Sequence, residues 1–414
     1  MEIITEIFCK KAFFYILIFI ITIILTFSSF GFAEQSVFEN IPDFGTTEKT
    51  TPIPIINPLL SNRGNLVHIG SIINGEGGAN LQEPSDVFVL GNNAYVTSYG
   101  SNSLEIIDIS NPAKPVYVGN ISDGEGGANL QGPSDVFVSG NYAYVTSQIS
   151  NALEIVDISN PAEPIHVGTI VDGDGGADLK RPTGVLVSGK YAYITSMNSN
   201  ALEIVDISDP SSPVHSGSIT DGQGGATLNG SGTIFLSGDY AYITSWYSKA
   251  LEIVNVSNPA LPLHAGSVML DEEQFQNDVV RNSFVSGNYA YVTILDYPNQ
   301  SAGSLEIIDI SNPSSPIRVA GLMHGDGGAH LSYPIMVSVS GNYAYIVNRY
   351  SHSIEVIDIS NPAKPVHVAR VVDGDGGATL NSPNDIYISG TLAYVTNSDY
   401  FNESNNSLEI LSLQ

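Results

Sequence analysis

From Ser134 to Ile170 the chain reads as four short apolar runs, SDVFVSG, YAYVTS, ALEIVDIS and PIHVGTI, set apart by turn residues. Valine, isoleucine, tyrosine and phenylalanine dominate the runs, and each is too short for a helix. Gly140-Asn141 and Ser159-Asn160-Pro161 punctuate them. The pattern predicts four strands joined by tight turns.

The same pattern recurs along most of the chain. Its third run begins at Ser103, Ala152, Ala201, Ala250, Ser304, Ser353 and Ser407, in steps of 49, 49, 49, 54, 49 and 54 residues. Four short strands in a period of roughly 50 residues match one blade of a β-propeller. The segment Leu66–Ile72 is a fourth run with no preceding three, and the stretch from Asp385 to Leu413 supplies three runs with no fourth. Together the two ends complete a blade. The predicted fold is all-β, a seven-bladed β-propeller over residues 61–414 with four antiparallel strands per blade. It is closed by pairing the N-terminal strand with the C-terminal blade, which hides the sheet edges.

The motif LEIVDISNP at Leu153–Pro161, followed by PIHVG at Pro164–Gly168, resembles the LVIVD-repeat proteins; AYVTN at Ala393–Asn397 is also similar to the YVTN-type propellers of surface layers. The LVIVD resemblance runs from Leu66 to the C-terminus. It implies the propeller fold and a surface or extracellular setting, and it brings no catalytic signature.

Between the fourth run of one blade and the first run of the next lies an acidic, glycine-rich phrase. It appears as NGEGGANL from Asn74, DGEGGANL from Asp123, DGDGGADL from Asp172, DGQGGATL from Asp221, HGDGGAHL from His324 and DGDGGATL from Asp373. If the first strand is innermost and the fourth outermost, the phrase crosses one face of the ring, here called the top, from rim to channel. Its glycines permit positive φ. The seventh junction, Leu270 to Ser283, keeps the length and loses the glycines. Two loops between second and third strands, around 296–303 and 398–406, are five residues longer than the others and also lie on the top. Variation on one face of a constant scaffold is where function is expected.

Charge narrows the partners. The chain carries 42 acidic and 14 basic residues, net −28, which disfavours nucleic acid and anionic lipid. Its one cysteine, Cys9, allows no disulfide framework. Residues 1–33 place two lysines before an uncharged stretch from Ala12 to Ala33 that ends in GFA. A cleaved signal peptide and an N-terminal membrane anchor both fit, and either sends the remainder outside. Residues 34–60, rich in threonine and proline, read as a linker.

Candidate chemistry follows from the top face. Tyr99, Trp246, Tyr247, Tyr297, Tyr350, Tyr400 and Phe401 sit in its loops and are the expected ligand-binding rings, since aromatic side chains carry contact energy with few rotors. Asp86, Asp135 and Asp385 start the inner strands of three neighbouring blades and are placed at the channel mouth. Asp123 with Glu125, Asp172 with Asp174, and Asp373 with Asp375 are candidate Ca2+ ligands, with plain glycine turns as the alternative. His68, His166, His215, His264 and His367 recur at one place in the outermost strand, which blade symmetry spreads around the rim. They and the repeated Glu and Asp of LEIVD, such as Glu154 and Asp157, are expected to be structural. No catalytic residue is assigned: the chain has no nucleophile elbow, phosphate loop or His–acid–Ser set. The expectation is an extracellular or cell-surface, non-catalytic binding module for carbohydrate or other envelope components. Its partner would be a cell-envelope glycan or a surface protein, with membrane contact only through the N-terminal segment. Two alternatives stay open: an enzyme acting on polysaccharide, and a purely structural envelope protein.

Overall fold

A computed structural model describes residues 65–270, 278–296, 302–399 and 402–414. They form seven four-stranded antiparallel sheets, as the repeat predicts. In blade 2 the strands are Pro133–Ser139, Tyr142–Ser147, Ala152–Asp157 and Ile165–Val171, ordered from the channel outward. The closing blade combines Pro383–Ser389, Leu392–Asn397 and Ser407–Leu413 with Leu66–Ile73 from the other end of the chain. Leu66 faces Leu413 and Ile73 faces Ser407 across that seam. The Gln414 N–H donates to the Asn65 carbonyl at 2.8 Å. The signal or anchor reading of residues 1–33, the linker 34–60 and the divergent junction residues 271–277 lie outside the described residues. Among the described residues, no helix is long and apolar enough to cross a membrane.

The core lies between blades rather than within them. Tyr144, Leu153, Ile155 and Ile170 of blade 2 pack against Val185, Ala192, Ile194 and Val205 of blade 3. Ala177 and Leu179, the last apolar residues of the crossing phrase, belong to the same cluster. The phrase therefore works as a peg driven into the joint between two blades. Its turn demands glycine: in the copy from Asp123, Gly124, Gly126 and Gly127 take φ of 84°, 59° and 102°, a region that costs any residue with a Cβ. A single 3-10 turn spans Glu125–Gly127. Elsewhere glycine permits close approach: a Cβ on Gly119 in the outer strand of blade 1 would lie 2.6 Å from the Pro161 carbonyl of blade 2.

Closure makes the seam a stability determinant. Removing residues through Ile73 leaves Ser407–Leu413 as an open edge and strips Ile72 from the core. The truncated chain is expected to melt at least about 10 °C lower, or to aggregate, because several kcal/mol of buried apolar surface is lost. Thermal unfolding by circular dichroism with light scattering checks this; unchanged melting contradicts closure.

Candidate functional site

The inner strands line a cavity of about 850 Å³ at the axis of the ring. Apolar side chains such as Phe88, Phe137, Phe235 and Phe284 surround its depth, and polar groups gather around Asp86, Asp135 and Asp385. Those three aspartates occupy equivalent positions in blades 1, 2 and 7, each opposite the second-strand threonine of its own blade: Thr97, Thr146 and Thr396. Each reaches across to the next blade. Asp385 accepts the Val87 N–H at 3.1 Å, Asp86 the Val136 N–H at 2.8 Å, and Asp135 the Val185 N–H at 2.8 Å. In blade 5, Asn282 makes the same link to Val337 at 3.1 Å. Thus the expected acidic row is brought together, and one oxygen of each carboxyl ties neighbouring blades. Asp86 stands between the other two and acts on both. Burial, and then the Asp86 carboxylate, push the carboxyls of Asp135 and Asp385 well above the usual range.

The opposite side of the mouth is basic, and the sequence reading missed it. Arg281 of blade 5 and Arg349 of blade 6 line the cavity beside Trp246. Trp246 takes the space left by Gly232, where a Cβ would collide with the indole. Its ring lies 4.3 Å from the Arg281 guanidinium carbon, and its N–H donates to the Arg281 carbonyl at 3.3 Å. Arg181 of blade 3 donates to Gln148, another lining residue, at 3.2 Å. Burial lowers the Arg281 pKa, the like charges of Arg349 and Arg181 lower it further, and Tyr333 and Tyr350 act in the other direction. One signal for this wall was available: blades 1, 2, 3 and 4 place Ser85, Ser134, Thr183 and Gly232 where blade 5 places Arg281.

The expected aromatic ring is brought together in part. Tyr99 and Trp246 line the cavity. Tyr350 stacks on Tyr333 with ring centroids 4.4 Å apart. Tyr247 lies over Gly230, is 47 % exposed, and is not a lining residue. Tyr297, Tyr400 and Phe401 lie outside the described residues.

The LVIVD repeat matches six segments of the chain, 83–123, 133–172, 182–221, 231–270, 280–322 and 335–373. The chain belongs to the LVIVD-repeat family. No curated protein matches the chain in sequence. Solved structures share the fold of this LVIVD propeller at low identity. A putative 6-phosphogluconolactonase from Bacteroides fragilis is 12 % identical over 77 % of this chain and 98 % of its own, with a TM-score of 0.59. A periplasmic gluconolactonase from Pseudomonas aeruginosa is 13 % identical over 77 % and 97 %, with a TM-score of 0.59. A streptogramin B lyase is 11 % identical over 84 % and 98 %, with a TM-score of 0.55.

Within the LVIVD propeller the repeated acids have local duties. In the phrase from Asp123, Asp123 accepts the Leu130 N–H at 3.0 Å and Glu125 accepts the Ser122 N–H at 3.0 Å. Asp172 and Asp373 likewise hold Leu179 and Leu380, at 3.1 and 2.9 Å. Asp174 and Asp375 hold Val171 and Val372, at 3.2 and 3.1 Å. The carboxylates offered above as Ca2+ ligands close their own loops. Among the described residues, no three His, Cys, Asp or Glu side chains gather as a metal site. The Asp of LEIVD caps its own turn, as when Asp157 accepts the Ser159 N–H at 2.8 Å. The Glu of LEIVD is fully buried. Glu203 accepts the Asp178 N–H of the arriving phrase at 3.1 Å and lies 2.6 Å from His215 Nδ1. His166 with Glu154, His264 with Glu252 and His68 with Glu409 repeat the arrangement, His367 meets Glu355 through Nε2, and Arg318 replaces histidine beside Glu306.

These buried pairs set a pH dependence. Burial raises Glu203 and Glu409 from 4.5 to about 7. The folded chain then binds protons more tightly than the unfolded one, so this contribution to stability is complete below about pH 4.5 and falls away as pH rises through 7. Glu203→Gln with Glu409→Gln mimics the protonated form. The native chain is expected to lose roughly 2 °C or more of Tm between pH 5 and pH 8, a loss the double variant shows in smaller measure. Melting curves across that range check the sign; equal slopes contradict it.

Proposed function

We propose that this LVIVD propeller is a non-catalytic binding module of the cell exterior. It takes a hydroxylated, carbohydrate-type ligand in the mouth of its central channel, presented by an envelope glycan or a surface protein. The observation that carries the reading is the cavity itself: about 850 Å³, apolar below, with a carboxyl row on one wall and guanidinium and indole groups on the other. Concave sites of this size, lined by apolar surface and a few convergent polar groups, are where small ligands bind. The carboxyl row suits hydroxyls, because carboxyl oxygens accept their hydrogen bonds. The exterior setting is supported by the lysine-flanked apolar run within residues 1–33.

A second reading is an enzyme acting on polysaccharide or on a lactone. One observation favours it: burial, and then Asp86 beside them, raise the carboxyls of Asp135 and Asp385 well above the usual range, and displaced carboxyl pKa values mark acid–base sites. Against it, each of the three carboxyls already spends an oxygen on the next blade. The lactonase and lyase names of the structural neighbours come with 11–13 % identity, which supports the fold alone.

A glycan array probed with the full chain tests the binding reading, with calorimetry on whatever is captured. Trp246→Ala is expected to weaken that binding by about 2 kcal/mol. Tyr247→Ala is expected to leave it within a factor of two, because Tyr247 lies off the cavity. Equal loss in both variants, or an empty array with reducing-end sugar appearing in polysaccharide digests, overturns the binding reading, and the digests then favour the enzyme.

A further inference from the structure

We propose that the Arg281–Arg349 wall of the channel mouth is a carboxylate subsite, so that the ligand is an acidic sugar, a uronic or aldonic acid unit, rather than a neutral one. This rests on the reading that the mouth binds a hydroxylated ligand and adds which class.

Placement is the first argument. The chain has 14 basic residues against 42 acidic ones, so cations close to one another are not a statistical matter here. Yet Arg281 and Arg349 line one cavity, and Arg181 reaches the same rim through Gln148. Each comes from a different blade, and the blades do not supply them by repetition: the positions equivalent to Arg349 in blades 1, 2, 3 and 4 hold Tyr99, Gln148, Met197 and Trp246. Two unrelated departures from the repeat converge on one wall.

The second argument is the missing counter-charge. Among the described residues, no hydrogen bond or ion pair engages the guanidinium of Arg281 or of Arg349; Arg281 has only the face of Trp246, 4.3 Å away. The arginines at the blade rims are matched differently, as Arg318 sits 2.5 Å from Glu306 and Arg370 lies 3.8 Å from Glu355. A partly buried cation without an anion is costly, and burial together with the like charges of Arg349 and Arg181 lowers the Arg281 pKa. Glu83 is the acid that acts on Arg349: burial raises its pKa and the Arg349 charge lowers it. An incoming anion relieves all of these at once.

The third argument selects the anion. A guanidinium presents paired donors that match carboxylate and phosphate alike. Across the cavity stands the row Asp86, Asp135 and Asp385, and the whole chain carries −28. A dianionic phosphate or a sulfate-rich ligand brings at least two charges against the net charge of the chain, whereas a single carboxylate brings one. The carboxyl oxygens of the same row accept hydrogen bonds from hydroxyls. A molecule with a carboxylate at one end and hydroxyls at the other satisfies both walls.

Trp246 is the chain's one tryptophan and lies on Arg281, so its fluorescence reads the subsite directly. The experiment titrates the full chain with D-glucuronate and D-galacturonate, with D-glucose and D-galactose as neutral controls and glucose 6-phosphate as the dianion, by fluorescence and calorimetry. The uronates are expected to bind and shift the emission, with the neutral sugars and the phosphate at least tenfold weaker. Arg281→Gln and Arg349→Gln are each expected to reduce uronate affinity at least tenfold and neutral-sugar affinity by less, so that the preference for uronate over neutral sugar collapses. If Arg281→Gln fails to fold, Arg349→Gln carries the test, since its guanidinium makes no hydrogen bond in the described fold. Neutral sugars binding as tightly as uronates, with Arg349→Gln indifferent, overturns the carboxylate subsite and leaves the binding reading standing. Glucose 6-phosphate binding as tightly as uronate overturns the choice of carboxylate. No binding by any sugar at millimolar concentration overturns both this inference and the reading beneath it.

Discussion

An apolar sheet face has to be covered, and no blade of this protein covers its own. Each sheet is apolar on both faces over its middle strands, and each of the seven core clusters draws its members from two adjacent blades. A single blade is half of two cores. That constraint accounts for the rest of the architecture: the ring must return to its start, the connections must cross from rim to axis without prising the sheets apart, and the last blade must borrow a strand from the first segment. The crossing phrase meets the second demand by contributing an alanine and a leucine to the joint it spans, such as Ala177 and Leu179.

Burying an apolar joint also buries the backbone that crosses it, and in blades 1 to 4 a carboxyl answers it. Glu154 accepts the Asn129 N–H at 3.0 Å from the arriving phrase, and Glu105, Glu203 and Glu252 do the same for Asn80, Asp178 and Thr227. A backbone donor left without a partner in such a place would cost about 1–3 kcal/mol. Side-chain partners to the glutamate vary: histidine in most blades, arginine in blade 5, and in blade 1 Ser103 and Asn120, at 2.7 and 3.2 Å. In blades 1 to 4 the constant duty is to the backbone; the variable one is to the charge. This explains why the histidines repeat around the rim without meeting one another.

Legibility in the sequence follows the same division. Whatever the repeat imposes was readable, because seven copies average out the noise of any single residue: blade count, strand order, the shared closing blade and the grouping of Asp86, Asp135 and Asp385. The acids of the crossing phrase were visible as residues, but their hydrogen bonds to Leu130, Leu179 and Leu380 depend on a loop conformation that spacing does not reveal. What breaks the repeat was harder. Arg281 and Arg349 look like ordinary surface cations until the ring places blades 5 and 6 side by side, and Tyr247 differs from its neighbour Trp246 only in which way the loop turns it. The channel mouth was located from the sequence; its basic wall needed the fold.

The seam has a consequence in time. His68 and Glu409 meet across 341 positions of chain, at 2.5 Å, while every other blade is made of residues within one repeat. As the chain emerges from the ribosome or from an export channel, blades 1 to 6 are able to assemble one upon another, each new sheet covering the face left bare by the last. The N-terminal strand has no such partner and waits through the synthesis of the whole ring. Its pairing is the contact of longest sequence separation and so the slowest to be reached by diffusion of the chain. The nascent protein therefore spends most of its making as an open arc, and becomes a ring only when its final residues arrive.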